Sequence, residues 1–190
     1  MLRTRPMVDS AAGRGVLTRG ALRRWLPLAL ATGAVALACA LPRDPEGTLE
    51  RVRGGELRVG VVEHPAYLRL AGEEPEGPEA DLVRDLAREL DARIVWLPGR
   101  AEELARAAEG FGVDLLAGGW EQGSKLAAGL GVTRPFHTAQ GIAEAPGVEP
   151  RERRYVWLVP PGENAWLLTL DEFLVARRAA YGRLLAEPPR

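Results

Sequence analysis

The chain is nearly without cysteine, histidine and lysine. Cys39 is the single cysteine of 190 residues, which excludes an intrachain disulfide. The two histidines, His64 and His137, lie far apart, and with one thiol and no paired histidine spacing there is no ligand set for a structural zinc. Lysine occurs once, at Lys125, and no basic run follows the first forty residues. A nucleic-acid partner, which needs clustered positive charge, is therefore excluded. No Gly-x-Ser-x-Gly, phosphate-cradling loop or His/Cys pairing occurs, so the sequence presents no catalytic set and calls for no cofactor. No internal repeat is visible.

What the sequence does hold is unevenly distributed. Residues 1–38 carry six arginines and one acid, Asp9, leaving 19 basic against 25 acidic residues in the rest. The one long apolar run, 26–41, follows Arg19, Arg23 and Arg24 and ends in small residues. Basic flank, apolar stretch and small residues are the parts of a secretory signal. The run is short for a spanning helix, which needs about 20 apolar residues. Residues 1–41 are thus expected to be a signal peptide or N-terminal membrane anchor, with the remainder exported to the periplasm. Cys39, after Ala36-Leu37-Ala38, resembles a bacterial lipobox cysteine, which would tether the chain by lipid. Cleavage after Ala38 or Ala40, or an uncleaved anchor, are the alternatives. Residues 42–48 read as a linker, Pro-Arg-Asp-Pro-Glu-Gly-Thr, without apolar periodicity.

From residue 49 the pattern alternates. A β-branched run at 56–62 precedes a helical stretch at 79–90 with Leu82, Val83, Leu86, Ala87 and Leu90 on one stripe. A second strand is expected at 93–97, a second helix at 101–110, and a third strand at 113–117 ending in Gly118-Gly119. Strands alternating with helices predict an α/β fold, a mostly parallel sheet with helices on both faces. The long loop 63–78 has room for a hairpin with 67–70 as one arm. Beyond it, a short helix at 122–128, strands at 138–144 and 155–160, and a last helix at 164–185 are predicted. Asn164 is the expected cap, and Leu167, Leu168, Leu170, Phe173, Leu174, Leu184 and Leu185 the apolar set of that helix. About 140 residues bury roughly two-thirds of their unfolded surface, enough for a fold without metal or disulfide.

Four segments resemble bacterial extracellular solute-binding proteins of family 3: 49–61 their lead-in and opening strand, Gly77-Pro-Glu-Ala-Asp-Leu-Val83 the start of their first helix, 112–119 their third strand, and 133–141 the stretch leading to their crossover. The resemblance covers most of 49–185 and implies one lobe of a periplasmic binding protein-like type II fold over residues 49–187. It departs from the family twice. About a dozen residues separate Ile142 from Tyr155, too few for a second lobe, so the outgoing and returning strands are expected to form a hairpin. Leu126 stands where the family's carboxylate-binding arginine is expected, with Lys125 beside it.

In such a sheet ligands bind beyond the carboxyl ends of the strands. There the sequence places His64 and Tyr67 after the first strand, Gly118, Gly119, Trp120 and Glu121 after the third, and then Phe136. The resemblance implies that these are ligand-binding residues; packed aromatics and a simple Gly-Gly turn are the alternative. The function expected is an exported component of an ABC transport system that binds a small solute, alone or with a partner completing the unit. Its partners would be the solute, an inner-membrane transporter subunit and, through the N-terminal segment, the membrane. The alternative is a non-enzymatic accessory protein docking on a membrane transporter.

Overall fold

The structure is a computed structural model that describes residues 43–72, 74–140 and 151–186, the side chains of 183–186 excepted. The expected signal or anchor at 1–41, Cys39 and the end of the strand expected at 138–144 lie outside the described residues.

Leu57, Val59 and Val61 alternate along β1 (Glu56–Val61), and all three are fully buried on one face. The other face of β1 carries Gly60, where a Cβ would lie 2.7 Å from Leu116 Cδ2 and 3.1 Å from Leu104 Cδ2. That glycine is needed for close packing of a helix over the strand. β1 is paired in parallel on both sides, with β4 (Arg93–Pro98) and with β5 (Leu115–Glu121), through Val59↔Leu115, Gly60↔Leu116 and Val61↔Ala117. β8 (Glu152–Val159) continues the sheet antiparallel to β5. Two short strands, β6 (Gly131–Val132) and β7 (His137–Gln140), lie end to end along the far edge of β8. Between them Thr133 Oγ1 accepts from Trp157 N at 2.9 Å, standing in for a backbone acceptor where the edge pairing is interrupted. The hairpin expected within 63–78 is present as β2 (Arg69–Ala71) and β3 (Glu74–Glu76).

The helices divide between the two faces of the sheet. α2 (Pro78–Glu89) buries Leu82, Val83, Leu86 and Ala87 against Leu57, Val59, Leu115, Ala117 and Trp157, and α4 (Asn164–Ala186) joins the same layer through Trp166, Leu170, Phe173, Leu174 and Tyr181. α3 (Ala101–Glu109) covers the other face with Leu104, Ala105 and Ala108 over Leu116, Val156 and Leu158. The α/β fold read from the sequence is therefore the fold observed: a parallel centre, an antiparallel flank and helices on both faces. Among the described residues no helix is long and apolar enough to cross a membrane.

Several local expectations are corrected. β5 does not end at Gly118-Gly119 but runs through them to Glu121, because the two glycines, at φ +125° and +69°, form a bulge in which three residues of β5, 117–119, oppose Trp157 of β8. The helix expected at 122–128 shrinks to a 3₁₀ turn, Lys125–Ala127, closed off by left-handed glycines at 123 and 129. Leu168 is 45% exposed, and Trp166 takes the core position instead, donating its indole N–H to the Asp114 carbonyl at 2.8 Å. Residues 43–48, read as a linker, are built into the fold. α1 (Thr48–Val52) and α4 share their caps: Asp44 Oδ1 accepts from Ala165 N and Trp166 N at 2.7 and 2.9 Å, and Asp44 Oδ2 from Leu49 N at 3.0 Å. Glu163 returns the bond to Glu46 N and Thr48 N at 3.0 and 2.9 Å. Asp44, rather than Asn164, caps the last helix.

Asp114, wholly buried just ahead of β5, ties the amino ends of the central strands together. It receives Arg51 NH2 at 2.6 Å, Arg58 NH2 at 2.7 Å and the Arg58 backbone N–H at 2.9 Å. Burial opposes its ionisation, but the bonds from Arg58 and Arg51 outweigh that and lower its pKa. Removing one partner of such a group leaves the others desolvated and unpaired. Asp114→Asn is expected to lower stability by about 2–4 kcal/mol, read as a fall in the urea midpoint with an unchanged m-value. A shift under a few tenths of a kcal/mol would show that the two arginines find water instead.

Candidate functional site

At the opposite end of β5 a second buried carboxylate shapes the carboxyl ends of the strands. Glu79 sits in the first turn of α2, set there by Gly77 and Pro78, and is fully buried. Its Oε1 accepts from Gly118 N at 3.0 Å and from Trp157 Nε1 at 3.1 Å, and its Oε2 accepts from Gly119 N at 2.9 Å. The bulge turns both glycine amides away from β8 and onto this carboxylate. Neither glycine admits a side chain: a Cβ at Gly118 would lie 2.0 Å from the Val62 carbonyl oxygen, and one at Gly119 2.3 Å from His64 Cδ2. Burial raises the Glu79 pKa to about 7, against the lowering effect of the Gly118, Gly119 and Trp157 donors.

On one side of this wall four rings from distant parts of the chain meet. His64 stacks on Tyr67 with centroids 4.7 Å apart, Tyr67 meets Tyr155 edge-on at 4.7 Å and His137 at 5.5 Å, and His137 stacks on Tyr155 at 6.1 Å. The turn 64–68 holds His64 in place, with His64 N donating to Leu68 O at 2.7 Å and Nδ1 accepting from Ala66 N at 3.3 Å. Burial lowers the pKa of both histidines; at His64, Glu121 opposes the shift and Arg153 adds to it. Burial also raises the Tyr67 hydroxyl. Burial thus favours the neutral form of both imidazoles in this packed cluster.

On the other side the chain leaves an open pocket of about 450 Å³. It is lined by Val62 beyond β1, Ala101 at the start of α3, Gly118–Glu121 of β5, the turn Gln122–Ser124 with Leu126, and Arg151. This is the strand-end position expected of a ligand site in an open α/β sheet. Glu121 at its rim pairs with Arg153 at 3.3 Å.

Of the residues singled out in the sequence, Gly118, Gly119, Trp120 and Glu121 line this pocket. His64 backs it from behind Gly119 but belongs, with Tyr67, to the ring cluster. Phe136 is 5% exposed and packs on Trp157 at 6.0 Å, in the core rather than on the pocket wall. Trp120 is 6% exposed and joins the layer under α3. Leu126 lines the pocket as an apolar wall where the resemblance expects an arginine. Sequence reasoning missed Glu79, Ala101 and Arg151. For Glu79 a signal exists, an acid in the first helical turn right after Gly-Pro, but its partners stand 39, 40 and 78 residues on.

No family model matches the chain. A 100-residue stretch, 52% of the chain, is 31% identical to membrane-bound lytic murein transglycosylase F of Vibrio cholerae serotype O1, and the match spans only 18% of that protein's length. Among solved structures, the arginine-bound form of domain 1 from TmArgBP superposes with a TM-score of 0.53 at 16% identity over 64% of this chain and 93% of that one. The ancestral amino-acid-binding protein AncCDT-1, a precursor of cyclohexadienyl dehydratase, gives 0.61 at 12% identity over 73% and 97%. A putative binding component of an ABC transporter from Wolinella succinogenes, complexed with lysine, gives 0.58 at 13% identity over 68% and 94%. The fold of this chain is that of solute-binding proteins.

The Glu79 grip has a pH signature. The folded state holds the Glu79 proton more tightly than the unfolded chain, whose carboxyl titrates near 4.5. Between pH 4.5 and about 7 the unfolded chain therefore binds fewer protons at this site, and this contribution to stability falls as pH rises, levelling off above 7. Glu79→Gln, neutral throughout, is expected to lack that decline. Denaturation midpoints of the two proteins across pH 4.5–8 measure it; parallel curves would mean that Glu79 is ionised throughout.

Proposed function

We propose that the chain is an exported solute-binding component of a transport system, a single lobe that takes a small solute in the pocket beyond β1 and β5. One observation carries the reading: the pocket lies at the carboxyl ends of the parallel strands, walled by the Gly118-Gly119 bulge and the start of α3. That a lone lobe suffices is supported by domain 1 from TmArgBP, a single-domain structure in its arginine-bound form. In this reading the solute lies half open to water unless a partner, such as an inner-membrane transporter subunit, closes over it. Binding rather than catalysis is the role we assign, because both carboxylates nearest the pocket are committed: Glu79 to three donors, Glu121 to Arg153. Export and tethering through residues 1–41, with Cys39 as the lipidated residue, complete the proposal.

A second reading, a non-enzymatic accessory protein docking on a membrane transporter, is favoured by the outer face of α4. Leu168 and Val175 are 45% and 55% exposed there, on a helix with apolar residues on both its inner and outer faces.

Calorimetric titration of the purified full chain separates the two. Dissociation constants below about 1 mM, or roughly −4 kcal/mol, are expected for at least one small polar solute in a panel that includes arginine and lysine. Heats indistinguishable from dilution across the panel would sink solute binding and leave docking. Intact-mass analysis of the membrane fraction is expected to find a lipid-modified Cys39 at the mature N-terminus. An unmodified terminus after Ala38 or Ala40, or an uncleaved chain, would refute lipid tethering.

A further inference from the structure

We infer that the free edge of β4 is an interface between copies of this chain, two β4 strands pairing antiparallel across a two-fold axis at Val95. The inference is independent of what the strand-end pocket binds.

The two edges of the main sheet are finished differently. One is interrupted: β6 and β7, of two and four residues, lie end to end along β8 with Pro135 between them. Short strands and proline are among the devices that keep an edge from pairing. The other edge is β4, six residues without a break, paired with β1 along its whole length. Its middle, Ile94-Val95-Trp96-Leu97, is apolar and half-buried throughout. Arg93 N donates to Gly55 O at 2.8 Å and Gly99 N to Val61 O at 3.2 Å, so the odd-numbered residues turn their backbone groups toward β1. The N–H and C=O of Ile94 and Trp96 therefore point outward from the edge, where they meet no partner among the described residues.

One register satisfies all of these groups. With Val95 opposite Val95 of a second copy, Ile94 of each strand faces Trp96 of the other and exchanges both hydrogen bonds with it. The ladder stops where neither strand can continue it: Pro98, which has no N–H, falls opposite Ala92, whose N–H is already given to Ala87 O at 2.8 Å. The neighbouring two-fold registers, centred on Ile94 or Trp96, each strand a carbonyl, Trp96 facing Ala92 in the first and Ile94 facing Pro98 in the second. The side chains agree. Ile94 and Trp96 share the α2 face, with the Arg84 guanidinium 5.8 Å from the Trp96 ring centroid, and a β-branched residue across from an aromatic is a favourable cross-strand pair. Val95, on the other face, is half-buried yet packs into neither core layer, and the two-fold sets it against its own copy. Arg93 faces Leu97, so no like charges oppose. Because the strands run antiparallel, the two strand-end pockets open at opposite ends of the joined sheet and neither copy covers the other's.

The test uses the full chain and substitutions in β4. Val95→Lys sets like charges opposite each other at the two-fold while removing no residue of either core layer. Val95→Cys places two thiols on strands whose Cα atoms lie about 4.5 Å apart, a spacing that a disulfide spans. Sedimentation equilibrium is expected to show the wild-type mass rising from monomer to dimer with concentration. Val95→Lys is expected to associate at least about tenfold more weakly, with its denaturation midpoint unchanged at concentrations where both proteins are monomeric. Under mild oxidation, peptide mapping of Val95→Cys is expected to find the two substituted positions joined to each other, and Arg93→Cys, whose position faces Leu97, to form no such link. The cross-link decides alone if Val95→Lys fails to fold. A monomer at every concentration, association as tight in folded Val95→Lys as in the wild type, or a Val95→Cys that links only through Cys39 or no faster than Arg93→Cys would each overturn the inference.

Discussion

The structure depends on Glu79 meeting the β5 bulge. A strand that twisted regularly through residues 118 and 119 would give its amides to β8, and the sheet would close over the end of β1. Instead two left-handed glycines turn their N–H groups onto a carboxylate carried by the neighbouring helix. The same carboxylate anchors Trp157 in the middle of β8. One side chain thus fixes how α2 meets the sheet, where β5 bends, and how the wall of the strand-end pocket stands. Three donors meet it in an apolar setting, so Ala or Leu at this position would leave all three unpaired. That penalty falls on buried donors wherever acceptors are deleted.

β5 is pinned at both ends by acids buried for different reasons. Asp114 faces two guanidiniums and stays charged against the pull of burial. Glu79 faces only neutral donors, and there burial prevails. Hydrogen bonds from a full charge outweigh desolvation where those from neutral N–H groups do not. The amino end of the sheet is thereby an electrostatic knot, whereas at the carboxyl end the buried acid is held by uncharged donors behind the Gly118-Gly119 wall of the pocket.

Most of the architecture could be read from residues 56–117 because its determinants are local. Leu82, Val83, Leu86 and Ala87 bury as their spacing requires, and the alternation of Leu57, Val59 and Val61 matches their face. What escaped was set by partners remote in the chain. Asp44 caps a helix 121 residues away, and Glu79 serves amides 39 and 40 residues on. Nothing in the neighbourhood of either acid announces its partner. The orientation of α4 was undecidable for another reason: apolar residues ring the helix, and its buried face is selected by remote bonds, from Trp166 to the Asp114 carbonyl and from Tyr181 and Arg177 to Asp85. At the site, four of seven candidates share one pocket. Tyr67 and Phe136 were drawn into packing because aromatic area near a strand end gains more from burial than from exposure.

The reciprocal caps of Asp44 and Glu163 have a mechanical consequence. Tension entering at residue 43 meets the beginning of α4 before it reaches β1, because the short run 43–48 is stitched to Ala165, Trp166 and Glu163. The load passes into α4 and from there, through Trp166, to the foot of β5. A pull on the entry point would have to shear several hydrogen bonds at once instead of unzipping a strand one rung at a time. A pull at that corner would therefore load α4 and the foot of β5 before it reached the strand-end pocket.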